Sequence, residues 1–330
     1  MNLSLIIFFS SLVLLFIGTQ LLVNASITLS NKLNINRIII GFTIVSLATS
    51  LPELFVTLSS ALKGYYDFAI GNIIGSNISN ITLVLGVTAL ISPVMFSKKE
   101  MYLNYFPLAL VSFFFVLIFV AIGFFNLISG VISLLILIAF NIFLIKNGRS
   151  IIALEDEQNI DVFILFGKEI IIKRLSYLIL ILLSGSLILW IGSEILIDSS
   201  KEIAAKIGVS DRVISISLVA LGTSLPELFA SVYAAFKKET QLAIGNLLGS
   251  NIFNMLAVIG FTTCVQSISV SNHLLQDAII MLLITLFLYP CFYIRNKLSL
   301  RKDSNNMLIS KSEGLCLLII YVLYISLVIR

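Results

Sequence analysis

The sequence predicts an all-α polytopic membrane protein whose ten transmembrane helices form two inverted five-helix repeats. Three observations carry that prediction. The 330-residue chain is 59% hydrophobic and 12% charged, where a soluble domain has about a quarter charged residues. Its apolar runs reach about 20 residues, the length that spans about 30 Å of hydrocarbon. One stretch of sequence occurs twice. The runs are continuous and not alternating, which excludes a transmembrane β-barrel.

In chain order the spans fall at 3–24, 36–62, 68–92, 101–123, 126–146, 174–198, 210–236, 242–268, 274–295 and 312–329. A polar cytoplasmic linker, 147–173, separates a first repeat, 1–146, from a second, 174–330. No basic segment precedes the first run, so it reads as a retained span and not a cleaved leader. With the N-terminus placed outside, sixteen Lys and Arg fall in inside segments and five in outside ones. That asymmetry follows the positive-inside rule. It predicts both termini outside; the expected location is the plasma (inner) membrane.

The repeat organises the chain. Residues 41–86 align without gaps on 215–260, with 22 identities in 46 positions at an offset of 174. The identities fall on polar, glycine and proline positions, which shared Leu and Ile richness does not explain. An odd number of spans separates the copies, so the second crosses the membrane in the opposite direction. Inverted repeats of this kind build transporters with a site near the midplane.

Each copy contains Thr-Ser-Leu-Pro-Glu, at 49–53 and 223–227. Pro52 has no N–H and frees the carbonyl of Ala48; Pro226 does the same for Gly222. The residue before each proline, Leu51 or Leu225, is biased away from helix. A carbonyl freed in hydrocarbon needs a partner, and a cation is one. Hydroxyls at Thr49, Ser50, Thr223 and Ser224 add oxygen to the same turns. Glu53 and Glu227 are carboxylates well inside the spans, where a charge costs several kcal/mol and marks ion or proton pathways. The second half of each copy contains a Gly-Asn-x-x-Gly-Ser-Asn-Ile-x-Asn segment, 71–80 and 245–254. Ser76 and Asn80, four apart, share a helical face, as do Ser250 and Asn254. Asn72, Asn77, Asn246 and Asn251 read equally well as packing residues. An all-oxygen set suits hard cations such as Ca²⁺ and Na⁺, and the lack of nearby Cys or His argues against zinc or copper.

Other polar positions read as incidental. Asn24 and Asp198 read as interfacial, His273 as a loop bystander, Trp190 as packing and the acidic run 155–157 as a solvated loop. Cys264, Cys291 and Cys316 have no metal-ligand spacing and read as packing residues. No His-Glu-x-x-His pair, P-loop or serine with a partner histidine is present, so no enzyme is expected.

The two paired motifs resemble the α-repeats of the cation/Ca²⁺ exchanger superfamily, most closely its prokaryotic Na⁺/Ca²⁺ exchangers. The resemblance implies a monomeric ten-span antiporter with no permanently bound cofactor and no nucleic-acid partner. Its partners are Ca²⁺, Na⁺ and lipid. Spans two, three, seven and eight form the ion-binding bundle, across which the first and sixth slide. Carried over by position, the metal ligands are Thr49, Ser50, Glu53, Ser76, Asn80, Thr223, Ser224, Glu227, Ser250 and Asn254, with backbone carbonyls near Thr49 and Thr223 and at Ala220. One position departs from the pattern: many Na⁺/Ca²⁺ exchangers have Asp where this chain has Asn254. The expected activity is Ca²⁺/Na⁺ antiport by alternating access. H⁺-coupled Ca²⁺ antiport is the alternative, followed by a passive cation channel.

Overall fold

The computed structural model describes residues 2–97, 99, 101–148, 162–206, 222–271, 273–298 and 306–329. Its main helices are α1 (Leu3–Leu33), α2 (Arg37–Thr49), α3 (Leu51–Leu62), α4 (Tyr66–Ile91), α5 (Met101–Ala121), α6 (Leu127–Lys146) and α7 (Leu175–Lys206). After residue 222 follow α8 (Leu225–Phe236), α9 (Thr240–Val265), α10 (His273–Leu298) and α11 (Lys311–Ile329). Among the described residues, seven helices are long and apolar enough to cross a membrane, or eight if the bent pair α2–α3 is one span. The expected span at 210–236 lies partly outside the described residues.

The bend between α2 and α3 is 43°. Leu51 is the expected break, yet the non-helical residue is Ser50, at φ −89° and ψ 7°. Pro52 sits in the first turn of α3, where its missing N–H costs no internal hydrogen bond, so the chain breaks one residue earlier. Ser224 has nearly the same geometry before Pro226, φ −83° and ψ 2°. The turns that follow also match. Gly64 and Lys238, equivalent in the repeat, both take positive φ, 80° and 62°.

Long helices α1 and α7 pack against each other along glycines. A Cβ on Gly18 would lie 2.8 Å from the Leu189 nitrogen, and one on Gly192 3.1 Å from the Leu15 nitrogen. Rising numbers on α1 meet falling numbers on α7, so the two run antiparallel. Both carry large exposed apolar side chains such as Phe9 and Leu183. By contrast, the most apolar window of α9 is wholly buried. Polar residues on α9 are thereby kept from lipid, where their groups would go unpaired.

Among the described residues, six short strands were not foreseen. They pair antiparallel as β1 (Val94–Ser97) with β6 (Asn306–Ile309), β2 (Phe124–Phe125) with β5 (Ile268–Ser269), and β3 (Val162–Leu165) with β4 (Lys168–Ile171). The β3–β4 hairpin, within the segment read as a polar linker, lies along α1. Asn24 donates to the Ile164 carbonyl (2.7 Å), Thr28 donates to that of Val162 (2.9 Å), and the Phe166 N–H donates to Gln20 (3.1 Å). These three polar residues recur every four positions, so one stripe of the helix satisfies the strand edge. Asn24 thus packs inside the protein and is not exposed. It is buried and also reaches the Tyr233 hydroxyl at 3.3 Å. Asp198 is exposed and pairs with Lys201. Trp190 stacks on Phe55, as a packing residue would. Cys264 is half-buried, whereas Cys316 is exposed and does not pack inside the protein. His273 opens α10 and does not lie in a loop. Residues 155–157 fall outside the described residues.

Candidate functional site

The site is assembled where the α2–α3 and α8 breaks face the middles of α4 and α9. Glu53 and Glu227 stand in the first turns of α3 and α8, each 0% exposed. The helix start that follows each break places a carboxylate near unpaired N–H groups, a favourable end of the helix for negative charge. Asn80 and Asn254 each begin a π-helical turn, Asn80–Val84 and Asn254–Val258. Such turns interrupt regular helix pairing and are frequent at functional sites.

The two repeated segments interlock through hydroxyls. Thr49 lies 3.4 Å from Ser250, and its counterpart Thr223 lies 3.1 Å from Ser76. Thr49 donates to the side-chain oxygen of Asn246 at 3.0 Å, and Thr223 to that of Asn72 at 3.4 Å. These amides are held in turn from the other side: Asn72 donates to Thr57, and Asn246 to Ser231, both at 3.0 Å. Ser50 donates to Glu227 Oε1 at 3.0 Å, and Ser250 donates to the same oxygen at 3.4 Å. The carbonyl of Gly222, freed by Pro226, accepts from Ser193 of α7 at 2.9 Å.

The orphans of this region decide what it can do. Both oxygens of Glu53, Oε2 of Glu227, Oγ of Ser224 and Oδ1 of Asn80 and Asn254 are buried without a hydrogen-bond partner. A buried polar atom left unpaired costs about 1–3 kcal/mol, more when charged. These six oxygens sit on the first turns that carry the glutamates, on Ser224 before Pro226 and on the π-helical turns of α4 and α9, and no protein donor engages them. A hard cation takes six to eight oxygens at the calcium end of the scale. Among the described residues, no three His, Cys, Asp or Glu side chains cluster to hold a metal. Any cation held here is thus held chiefly by neutral oxygens and two carboxylates.

The sequence matches the family model described as sodium/calcium exchanger protein over residues 3–146 and 177–330. The chain belongs to the sodium/calcium exchanger family. Individual proteins are similar as well. The sodium/calcium exchanger MaX1 of Methanosarcina acetivorans is 28% identical over 95% of each chain. The inner membrane protein YrbG of Escherichia coli is 30% identical over 76% of each. A solved structure of the sodium-calcium exchanger NCX_Mj, soaked with Na⁺ and Sr²⁺, covers 98% of both chains at TM-score 0.79 and 28% identity. The fold is therefore the polytopic helical fold of that exchanger, and the protein is a multi-pass membrane transporter of the antiport class.

Of the expected site residues, hydrogen bonds join Thr49, Ser50, Ser250 and Glu227, and Ser76 with Thr223, whereas Asn80 and Asn254 bond to Asn251 and Asn77, and Glu53 and Ser224 are buried at the two breaks. Ala220 lies outside the described residues. Sequence reasoning undervalued Asn72, Asn77, Asn246 and Asn251, which are threaded into the same network. The available signal was their recurrence at the same offset as the glutamates. Ser193 lies outside the aligned repeat segments and carried no such signal.

Proposed function

We propose that this exchanger is a secondary active antiporter that moves Ca²⁺ against Na⁺ by alternating access. The six buried, unpartnered oxygens around Glu53 and Glu227 carry this reading. Ca²⁺ and the counter-ions occupy that set in turn, drawing on Thr49, Ser50, Ser76, Asn80, Thr223, Ser224, Ser250, Asn254 and the Ala220 carbonyl. The loaded site lets the bundle change access. An empty site, with two bare carboxylates in low dielectric, opposes the change. The names of MaX1 and of the NCX_Mj structure, with its Na⁺ and Sr²⁺ soak, support the choice of ions.

The architecture that goes with this function is ten spans in two inverted halves, 1–146 and 174–330, joined by a cytoplasmic linker, 147–173. Both termini lie outside the plasma membrane, and the working unit is a monomer. The antiparallel α1–α7 pair and the matched hydrogen bonds of the two segments support the inversion.

Asn254 favours a second reading of the driving ion. With two ionised glutamates the set has formal charge −2. One Ca²⁺, two Na⁺ or two protons each neutralise it, whereas a third Na⁺ leaves excess charge in the membrane. H⁺-coupled Ca²⁺ exchange uses the same residues. Ca²⁺ uptake into vesicles, driven first by a Na⁺ gradient and then by a pH gradient, separates the two. Uptake insensitive to both gradients would mark a passive channel and overturn antiport.

A further inference from the structure

The bare oxygens of Asn80 and Asn254 are presented by a second pair of asparagines. Asn77 donates its amide to the backbone carbonyl of Asn251 at 3.4 Å, and Asn251 donates to the carbonyl of Asn77 at 3.3 Å. A backbone carbonyl only accepts, so each of these amides is forced to turn its NH₂ toward the opposite helix. Its Oδ1 then faces the other way and needs a donor. Asn80 supplies one to Asn251 Oδ1, and Asn254 supplies one to Asn77 Oδ1, both at 3.1 Å. With their NH₂ groups so engaged, Asn80 and Asn254 keep Oδ1 free, and both of those atoms are buried and unpartnered. All four residues are 0–1% exposed. The four amides therefore form a closed, two-fold lock between α4 and α9.

Building on the exchanger reading, we propose that Asn77 and Asn251 are positioning residues that orient the Asn254 and Asn80 amides with oxygen toward the cation. Each acts across the repeat: Asn251 on Asn80, Asn77 on Asn254. The lock also explains why an amide suits position 254. A carboxylate there has no hydrogen to give to Asn77 Oδ1, and turning Asn77 over would set its oxygen against the Asn251 carbonyl.

The test is a set of double-mutant cycles read as the Ca²⁺ concentration that half-saturates exchange in vesicles, with thermal stability measured alongside. Asn251→Ala should raise that concentration about tenfold, the lower end of outer-shell effects at metal sites. The factor should vanish in an Asn80→Ala background and persist in an Asn254→Ala background. Asn77→Ala should show the mirror pattern, lost with Asn254→Ala and kept with Asn80→Ala. Asn251→Leu, which fills more of the space but offers no acceptor, should behave as Asn251→Ala does. Equal factors in both backgrounds, or pairing seen only in thermal stability, would reduce the four amides to helix packing and overturn the proposal. Glu53→Gln, run in parallel, separates the claims. Uptake that survives it breaks the site reading. Uptake lost in it, together with background-independent asparagine effects, breaks the lock alone.

Discussion

The two glutamates stand in identical pentapeptides yet are held differently. Glu227 accepts from Ser50, which reaches across from the first segment, and from Ser250. Glu53 gets nothing from the corresponding Ser224, whose hydroxyl is unpartnered, and Ser76, the counterpart of Ser250, is its one hydroxyl neighbour. Elsewhere the halves agree bond for bond, in the Thr–Ser and Thr–Asn contacts and in the asparagine lock. The lesson is that a duplicated motif supplies two equal inventories, while packing assigns the shared donors. Here Glu227 is held by two serines, one from each segment, and Glu53 by fewer hydroxyls.

The largest test of that difference replaces each carboxylate. Glu53→Gln and Glu227→Gln should both reduce Ca²⁺ exchange to background in vesicles, because each removes half of the charge. Normal transport by either would break the two-carboxylate site. A smaller effect should separate Ser50 from Ser224. Ser50→Ala strips a donor from a carboxylate, an interaction of about 1.5–3 kcal/mol, and should lower the thermal stability of cation-free protein. Ser224→Ala removes only a bare oxygen. It should hold or raise cation-free stability, because the unpaired oxygen is itself a cost, and reduce the extra stability that Ca²⁺ confers. Equal behaviour of the two variants would erase the contrast between the halves.

At position 254 the comparison can be pushed from symmetric toward asymmetric. Asn254→Asp adds a carboxylate but breaks the bond to Asn77. If the lock governs the site, Ca²⁺ half-saturation should weaken severalfold even though negative charge has been added. Tighter Ca²⁺ binding would show that charge outweighs orientation.

The smallest contrast lies in the turns that enter α4 and α9. Left-handed backbone costs a residue with a Cβ roughly 1–2 kcal/mol. Lys238→Gly should therefore raise thermal stability slightly, and Gly64→Ala should lower it by about 1 kcal/mol. Opposite signs in melting experiments on the two variants would confirm that the turns share a backbone but not a residue suited to it.

Much of this protein was readable from its residues. Hydrophobic run length, the 174-residue offset and the position of two prolines beside two glutamates follow from local chemistry. A bilayer punishes unpaired polar groups so strongly that each one retained, and retained twice, announces a purpose. The family resemblance was legible in the same motifs. The β3–β4 hairpin along α1 was hidden, because its partner residues Gln20, Asn24 and Thr28 look like scattered polar positions until a strand edge lies against them. Ser193 was hidden for the same reason, since its carbonyl partner is 29 residues away. Which oxygens remain free was hidden as well. An asparagine in a sequence is both donor and acceptor, and only the neighbours brought by folding choose the atom it turns inward. The chain by itself determined the inventory of the site. The tertiary structure decided the orientation of each amide and the unequal bracing of Glu53 and Glu227, because hydrogen bonds between helices depend on distance and direction, which spacing along one chain does not contain.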